Sequence, residues 1–289
     1  MIKILILGSS GILGKYLYKK LKSNNKINLF HTGIKKRKLD ATNKKQLETL
    51  INNTKPNLII NTIGLTNVDE CENNSKISKQ INFGIIDNIF KFKKKNNLNF
   101  NLIHVSTDHL YDGENTIKNK ETSRIYTVNN YSKHKRMAEI VCLKNDALIF
   151  RTNFFGKSVS KNISFSDWVV IAFKSQKKIY LFDDVYFNPL RIDTIVKVLT
   201  KIIKKKQYTI KGIYNLGSRD GISKKKFAIL FAKKLKIFNN KYEDININNL
   251  LKVKRPLNML MNVKKFEKKF DMKLPLIKLE IKREIKNYL

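Results

Sequence analysis

Three side chains near the middle of the sequence have the types needed to transfer a proton to a carbonyl oxygen. Tyr131 and Lys135 stand four residues apart in NYSKHK, at the start of a predicted helix, so both project from one helix face. Thr107 ends an apolar segment further upstream. A lysine cation lowers the pKa of a neighbouring phenol below its usual value of ~10, and a threonine hydroxyl can polarise a carbonyl. With 59 Lys and Arg residues in the chain, the Tyr–Lys spacing alone is a weak signal.

A glycine-rich turn follows the first predicted strand. GSSGILG places three glycines at a strand-to-helix junction, where they allow a tight turn and a close approach of the backbone to a pyrophosphate. The helix N-terminus then offers N–H groups to the same anion. The pattern is typical of dinucleotide binding, and a tight turn without a ligand is the alternative. The cofactor-binding residues predicted here are Gly8, Gly11, Ile12, Leu13 and Gly14.

The residues after the second predicted strand discriminate between NAD and NADP. An acidic side chain there binds the ribose hydroxyls of NAD, whereas basic side chains accommodate the extra phosphate of NADP. The segment LFHTGIKKRK has no acidic residue, and Lys35 and Arg37 follow the strand. We therefore predict NADP as the cofactor, with NAD as the alternative.

Alternating strands and helices are expected to position these residues. Short apolar segments predict strands at 2–8, 27–31, 57–63, 99–107 and 147–152, separated by helices at 13–22, 44–51, 77–95 and 131–143. This order predicts an α/β fold with a doubly wound parallel sheet of the Rossmann type. Ligands bind at the carboxyl ends of such strands, so the glycine turn, Thr107, Tyr131 and Lys135 are expected to converge.

The second half of the chain is less regular. Helices are predicted at 165–174, 192–205 and 224–237, a strand at 212–217, and a hairpin or an extended crossing at 179–190, where Asp183 and Asp184 have a structural role. We predict a dinucleotide-binding domain over 1–153, to which 190–217 returns. A smaller, mainly substrate-binding region is predicted over 154–289.

Longer segments resemble the dTDP-4-dehydrorhamnose reductase family of extended short-chain dehydrogenase/reductases. The similarity covers nearly the whole chain, in GSSGILG, LDATNKKQLETLI, NLIINTIGLTNVDECENN, HVSTDHLYDG, RTNFFG, GIYNLG and KRPLNMLM. Two segments depart from the family pattern: STDYVF is STDHLY here, and RTSW is RTNF, with Phe in place of a substrate-facing Trp. These departures concern the sugar pocket and leave the reaction type unchanged.

The resemblance implies roles for individual residues. Tyr131 would be the acid, Lys135 would also bind the nicotinamide ribose, and Thr107 would orient the carbonyl. Further cofactor contacts implied by the family motifs are Asp40 at the adenine and Asn61, Thr62 and Gly64 near the nicotinamide. The substrate-binding candidates are Asp108, His109, Asn153, Phe154 and Arg255, the last as a phosphate ligand.

The resemblance implies an NADP-dependent reductase of a nucleotide-activated 4-keto-6-deoxysugar, in the synthesis of surface polysaccharide precursors. One alternative is an epimerase or dehydratase that retains bound NAD, with Asp108 as an additional acid. Another is a regulatory subunit like that of methionine adenosyltransferase, which keeps the fold without established turnover.

Composition and charge bear on whether the protein belongs to other functional classes. The net charge of +36 would suit a nucleic-acid or anionic-membrane partner, but the lysines are spread along the chain and no nucleic-acid recognition motif is present. No segment approaches the ~18 apolar residues of a membrane helix. Cys71 and Cys142 lack metal-ligand spacing, which predicts reduced thiols in a cytoplasmic protein without a metal site. The oligomeric state stays open, with a homodimer as the candidate.

Overall fold

Six strands form the main sheet of the computed structural model, which describes residues 1–32, 39–112, 117–160 and 162–289. The strands are β1 (Ile2–Leu7), β2 (Ile27–His31), β3 (Leu58–Asn61), β4 (Asn101–Thr107), β5 (Leu148–Thr152) and β10 (Gly212–Leu216). Their order is β10-β5-β4-β3-β1-β2, with β1 parallel to β2 and β3, and β3 parallel to β4. The predicted doubly wound sheet is confirmed. Most of its strands are shorter than predicted at one or both ends.

The helices that accompany this sheet follow the predicted pattern with two exceptions. They are α1 (Ile12–Lys22), α2 (Lys44–Thr54), α3 (Val68–Asn73), α4 (Ser75–Lys79), α5 (Ile85–Lys95), α6 (Asn130–Lys144) and α8 (Ile192–Lys204). Helix α3 is short and was not predicted, and the single helix predicted at 77–95 is instead α4, a π-helical turn at Gln80–Gly84, and α5. The π turn presents Asn82, whose amide accepts a hydrogen bond from Leu65 N (3.0 Å) and donates one to Leu65 O (3.1 Å). This turn therefore fixes the loop that follows β3.

Unit 1 of the chain comprises Met1–Thr107, Asn129–Arg151 and Val196–Tyr214. Its core is aliphatic and aromatic, and Ile59 and Ile149 from the sheet and Ile89 from α5 are fully buried in it. The buried positions of α5 recur at helical spacing and its last turn carries Lys93, Lys94 and Lys95, which complement the negative end of the helix dipole.

Strand β1 marks the point where the order of the sheet reverses. It lies between β2 and β3, so the chain adds strands first on one side of β1 and then on the other. In open α/β sheets the crevice outside the strand ends at such a point binds ligands. Gly8 and Thr62, the residues that follow β1 and β3, lie at this point.

Unit 2 comprises Asp108–Val128, Thr152–Ile195 and Asn215–Leu289, as far as these ranges are described. Its elements are β6 (Phe154–Phe155), α7 (Phe165–Lys174), β7 (Ile179–Leu181), β8 (Tyr186–Phe187), β9 (Leu190–Arg191), β11 (Ile222–Ser223), α9 (Lys224–Lys234), β12 (Tyr242–Asp244), α10 (Ile247–Leu250), α11 (Lys264–Phe270) and α12 (Ile277–Glu284). Packed aromatic rings dominate its core, including Phe155, Phe187, Phe227 and Phe231.

The segment 179–190 is an extended crossing and not a hairpin. Strand β7 pairs with β12, β8 pairs with β11, and β9 pairs with β6, so none of the three pairs with another. Asp183 accepts a hydrogen bond from Ser223 Oγ (2.6 Å), and Asp184 accepts one from Ile247 N (3.1 Å), which agrees with the structural role predicted for both. Residues 108–128 belong to unit 2, although the predicted boundary placed them in the first domain. The assignment of one ligand to each unit stays a prediction.

Candidate active site

The glycine turn joins β1 to α1 and is fixed by residues at the end of β2. Gly8 N donates to Thr32 Oγ1 (3.0 Å), Ser9 N donates to Thr32 O (3.1 Å), and Ser9 Oγ donates to the same carbonyl. Helix α1 begins after Gly11, which has no side chain to cap it, and its first turn contains no acidic residue. The N-terminal N–H groups and the positive end of the helix dipole are therefore suited to an anion.

The space around this turn requires glycine at two positions. Gly8 has φ +90°, and a Cβ there would lie 2.9 Å from Thr62 Oγ1. A Cβ at Gly14 would overlap with the Gly8 carbonyl oxygen and would lie 2.7 Å from Thr62 Oγ1. At Gly11 the nearest atom would be 3.4 Å away, which is ordinary contact. Gly8 and Gly14 thus let the helix pack closely on the turn, as the pyrophosphate cradle of a dinucleotide requires, so the residues present fit that cofactor.

The other predicted cofactor ligands lie in different surroundings. Asp40 is exposed and accepts hydrogen bonds from Thr42 N (2.9 Å) and Thr42 Oγ1 (2.7 Å), in the turn before α2. Thr62 Oγ1 donates to Leu7 O (2.8 Å) and so connects β3 to the glycine turn. Gly64 lies on the exposed loop that Asn82 fixes. Lys35 and Arg37, on which the preference for NADP depends, lie outside the described residues.

Thr107, Tyr131 and Lys135 are all buried in unit 1. Thr107 is the last residue of β4, and its exposed fraction is 4%. Tyr131 and Lys135 lie one turn apart on α6, with exposed fractions of 7% and 3%. Lys135 Nζ donates to Val105 O (2.7 Å), two residues before Thr107, so the lysine head group lies against the carboxyl-terminal half of β4. Burial separates this lysine from the many solvated lysines of the chain.

The N-terminus of α6, next to Tyr131, is held by three polar contacts. Asn129 Oδ1 accepts a hydrogen bond from Ser132 N (2.9 Å), and Ser132 Oγ accepts one from Asn129 N (3.3 Å), which forms a capping box. Glu72 Oε2 accepts one from Asn130 N (2.9 Å). Glu72 belongs to the VDECE segment that resembles the family motif, and its position gives that acidic residue a structural purpose. The first turn of α6 is thereby fixed at the residue before Tyr131.

A buried ion pair connects α6 to β4 and β5. Glu139, one turn beyond Lys135, has an exposed fraction of 0% and accepts hydrogen bonds from Arg151 Nε (2.9 Å) and Arg151 Nη2 (2.7 Å). Ser106 Oγ donates to the same carboxylate (2.7 Å), and Arg136 Nη1 lies 3.1 Å from it at the surface. Because every partner of Glu139 comes from α6 or a neighbouring strand, the pair fixes α6 against the strand that ends in Thr107.

Burial also sets the charge states in unit 1. Desolvation lowers the pKa of Lys135 to about 8, although the negative charge of Glu139 opposes the shift. Lys135 is therefore still mostly cationic at pH 7, which agrees with its expected effect on a neighbouring phenol. Burial, and secondly Lys135, hold the pKa of His104 well below its ordinary value, so this imidazole is neutral.

The predicted substrate residues lie in unit 2, where four of them form two pairs, Asp108 with Asn153 and His109 with Arg255. Asp108 is buried, and its Oδ2 accepts a hydrogen bond from Asn153 Nδ2 (2.8 Å). Burial first, and then the positive charges of Lys224 and Arg255, lower the pKa of His109 to about 3. Phe154 is half-buried in β6, with no contact in the described part of the chain that assigns it a ligand.

Sequence reasoning missed two residues of these surroundings. Lys224 begins α9, and its pKa is lowered by burial while Asp108 and Asp184 oppose the shift. No sequence signal distinguishes it from its neighbours in SKKKF. His104 has no ligand spacing in the sequence and lies within an apolar strand. It is buried in β4, and its Nε2 lies 3.3 Å from Lys135 Nζ.

Comparison with known proteins identifies the family. The family model described as RmlD substrate binding domain matches residues 2–289. The chain belongs to this family. This member is 27% identical over 284 residues to a dTDP-4-dehydrorhamnose reductase of Aggregatibacter actinomycetemcomitans, covering 94% of each chain. The resemblance inferred from the sequence motifs is thereby confirmed.

Solved structures show the same fold. A dTDP-4-dehydrorhamnose reductase of Bacillus anthracis in complex with NADP superposes with a TM-score of 0.88 at 20% identity, covering 99% of this family member and 100% of that chain. A dTDP-4-dehydrorhamnose reductase of Clostridium acetobutylicum gives a TM-score of 0.87 at 23% identity, with 99% of both chains covered. These reductases therefore share the fold of nearly the whole chain, which includes the Rossmann-type architecture predicted from the order of elements.

Among the residues that the structure describes, no helix is both long enough and apolar enough to cross a bilayer. Within the same ranges, no three His, Cys, Asp or Glu side chains are grouped so that they could hold a metal ion.

Proposed function

We propose that this protein is an NADP-dependent reductase of a nucleotide-activated 4-keto-6-deoxysugar, similar in activity to the dTDP-4-dehydrorhamnose reductases. The observation that carries the proposal is the burial of Tyr131 and Lys135 on one face of α6, with Lys135 Nζ bound to β4 two residues before Thr107. The glycine turn of the same unit, sterically closed to side chains at Gly8 and Gly14, supports a dinucleotide ligand.

The glycine turn, with Gly8, Gly14 and the N-terminus of α1, would hold a nicotinamide dinucleotide, which would supply the hydride for the ketone carbon. The chain supplies the proton for the ketone oxygen, and the proposed donor is the phenol of Tyr131. Lys135, mostly cationic at pH 7 because its pKa is about 8, stabilises the phenolate left behind. Thr107 holds the carbonyl by a hydrogen bond. General acid catalysis of this kind contributes ~10²–10⁴-fold to the rate.

The substrate side of the proposal uses the connected residues of unit 2. Lys224 and Arg255 carry positive charge close enough to depress the pKa of His109, and such a pair suits the phosphates of a nucleotide sugar. Asp108 and Asn153 form a hydrogen-bonded donor and acceptor pair suited to sugar hydroxyls. Asp108 follows Thr107 directly in the chain. The biosynthetic role we propose is the supply of precursors for a surface polysaccharide.

The test is to mix the purified protein with NADPH and a panel of dTDP- and UDP-linked 4-keto-6-deoxysugars and to follow cofactor oxidation by absorbance. We expect stoichiometric oxidation of NADPH with at least one sugar, and slower oxidation of NADH. Conversion of a sugar with no net consumption of cofactor would favour an epimerase or dehydratase instead. Tight NADPH binding without turnover on any sugar would favour a regulatory protein. Parallel assays with Tyr131→Phe distinguish enzymatic turnover from background oxidation.

A further inference from the structure

A continuous series of polar contacts reaches Lys135 from the interior of the sheet. Asn61 in β3 and His104 in β4 are register partners, so their side chains project from the same face of the sheet. Asn61 Nδ2 lies 3.3 Å from His104 Nδ1, and His104 Nε2 lies 3.3 Å from Lys135 Nζ. Asn61 and His104 are both 1% exposed and Lys135 is 3% exposed, so bulk water does not compete for these contacts.

One backbone contact sets the direction of hydrogen-bond donation along the contacts from Asn61 to Lys135. Ile63 N donates to Asn61 Oδ1 (3.1 Å), which leaves the amide nitrogen of Asn61 facing His104. An amide nitrogen only donates, so His104 Nδ1 must accept. His104 is neutral, and a neutral imidazole carries one proton, which must therefore be on Nε2. The opposite orientation of the amide would bring two N–H donors together at Ile63.

The tautomer has a consequence for the lysine. An Nε2–H group pointing at Lys135 Nζ is a donor, so it is matched by the lone pair of an amine and opposes an ammonium. Lys135 Nζ keeps one hydrogen bond as a donor, to Val105 O (2.7 Å). Glu139, on the same helix face, acts in the other direction, because its negative charge favours the cation. The N–H group of His104 therefore favours the neutral amine of Lys135, whereas the charge of Glu139 favours its cation.

We propose that Asn61 and His104 are positioning residues that present an N–H group to Lys135 and thereby make this lysine readily give up its proton. For the reaction, which rests on the proposed function, the consequence is that Lys135 can return a proton to the Tyr131 phenolate after each turnover. Burial is the first cause of the lowered pKa of Lys135, about 8, and the proposed N–H group acts in the same direction. His104 is thus distinguished from an ordinary core histidine by what its second nitrogen faces.

The tautomer can be observed without substrate. The chain has four histidines, so long-range proton–nitrogen NMR spectra of protein labelled at the imidazole nitrogens contain few signals, and His104→Gln identifies those of His104. We expect His104 to be neutral and protonated on Nε2 between pH 6 and 9. A His104 protonated on Nδ1, or one that becomes cationic in this range, would overturn the proposal. This spectrum does not depend on whether the protein reduces a sugar.

A single substitution should reverse the direction of hydrogen-bond donation between residue 61 and His104. Asn61→Asp keeps the oxygen that accepts from Ile63 N but replaces the amide nitrogen by a second acceptor, which moves the proton of His104 to Nδ1. Lys135 then faces a lone pair, and we expect the alkaline limb of the kcat/KM profile to rise by about one pH unit or more. In a His104→Phe background the same substitution should move the limb by less than half as much. An equal shift in both backgrounds would mean that charge alone acts, and would refute the role of His104.

Failure of the proposal and failure of the proposed function give different results. If no sugar is reduced but His104 carries its proton on Nε2 and Asn61→Asp moves it, the positioning role of Asn61 and His104 is supported and the proposed reaction is refuted. If a sugar is reduced and His104 is protonated on Nδ1, the reaction is supported and the positioning role is refuted.

Discussion

The buried carboxylate of Glu139 should be among the residues whose loss costs this protein most stability. Glu139→Gln keeps the shape of the side chain but removes its charge, and it turns one of the two oxygens facing Arg151 into a donor. Arg151, with an exposed fraction of 1%, would remain buried without a counter-ion. Breaking one partner of a buried pair costs about 3–5 kcal/mol, a large share of the ~5–15 kcal/mol that stabilises a typical domain.

The assay is equilibrium unfolding in urea, followed by circular dichroism, with comparison of midpoints at constant slope. Arg136→Ala is the matched control, because its guanidinium contacts the same carboxylate but its side chain is 31% exposed. We expect the control to lose less than about 1 kcal/mol.

A third variant tests the reason for the loss. In Glu139→Leu combined with Arg151→Met, no buried charge is left without a partner, so we expect the double variant to be more stable than Glu139→Gln. A loss of under about 1 kcal/mol for Glu139→Gln, or a double variant less stable than the single one, would refute the view that an uncompensated charge dominates.

Three further predictions concern ligand binding and pH. Gly14→Ala should abolish NADPH binding in a fluorescence titration, because its Cβ would overlap with the glycine turn, whereas Gly11→Ala should change Kd by less than about fivefold. Activity should be constant below pH 8 and should fall above it in a pH–rate profile, because the pKa of Lys135 is lowered to about 8 and only the protonated form stabilises the phenolate; a constant rate up to pH 10 would contradict this. Lys224→Met should raise KM for the sugar nucleotide about tenfold or more without changing the Kd of NADPH. The control Lys225→Met, which removes a surface pair with Asp244, should leave both constants unchanged. Equal effects of the two substitutions would exclude a special role for Lys224.

The fold and the pairing of the candidate residues Tyr131 and Lys135 could be predicted because their signals are local. Buried parallel strands are short apolar segments, and the glycine turn is defined by seven consecutive residues. Asn43 is of a type that commonly caps helices and stands directly before α2, and its side chain accepts a hydrogen bond from Gln46 N (3.1 Å). Tyr131 and Lys135 could be paired because the helical period brings residues four apart to one face.

The remaining features depend on contacts between distant segments. His104 and Lys135 are 31 positions apart, and Ser106 and Glu139 are 33 apart, so their contacts follow only from the packing of α6 on β4. Lys224 stands in a run of three lysines, and it is distinguished by its electrostatic interactions with Asp108 and Arg255. The π turn at Gln80–Gly84 arises where Asn82 satisfies the backbone of Leu65, which helical periodicity cannot indicate.

The measurement that tests the proposed reaction most directly is the turnover of Tyr131→Phe compared with its affinity for NADPH. We expect kcat for the keto sugar to fall by at least about 10²-fold, because the phenol proton is lost, while the Kd of NADPH changes by less than about threefold, because the glycine turn is untouched. A Tyr131→Phe protein that reduces the sugar at the normal rate would contradict the assignment of Tyr131 as the proton donor.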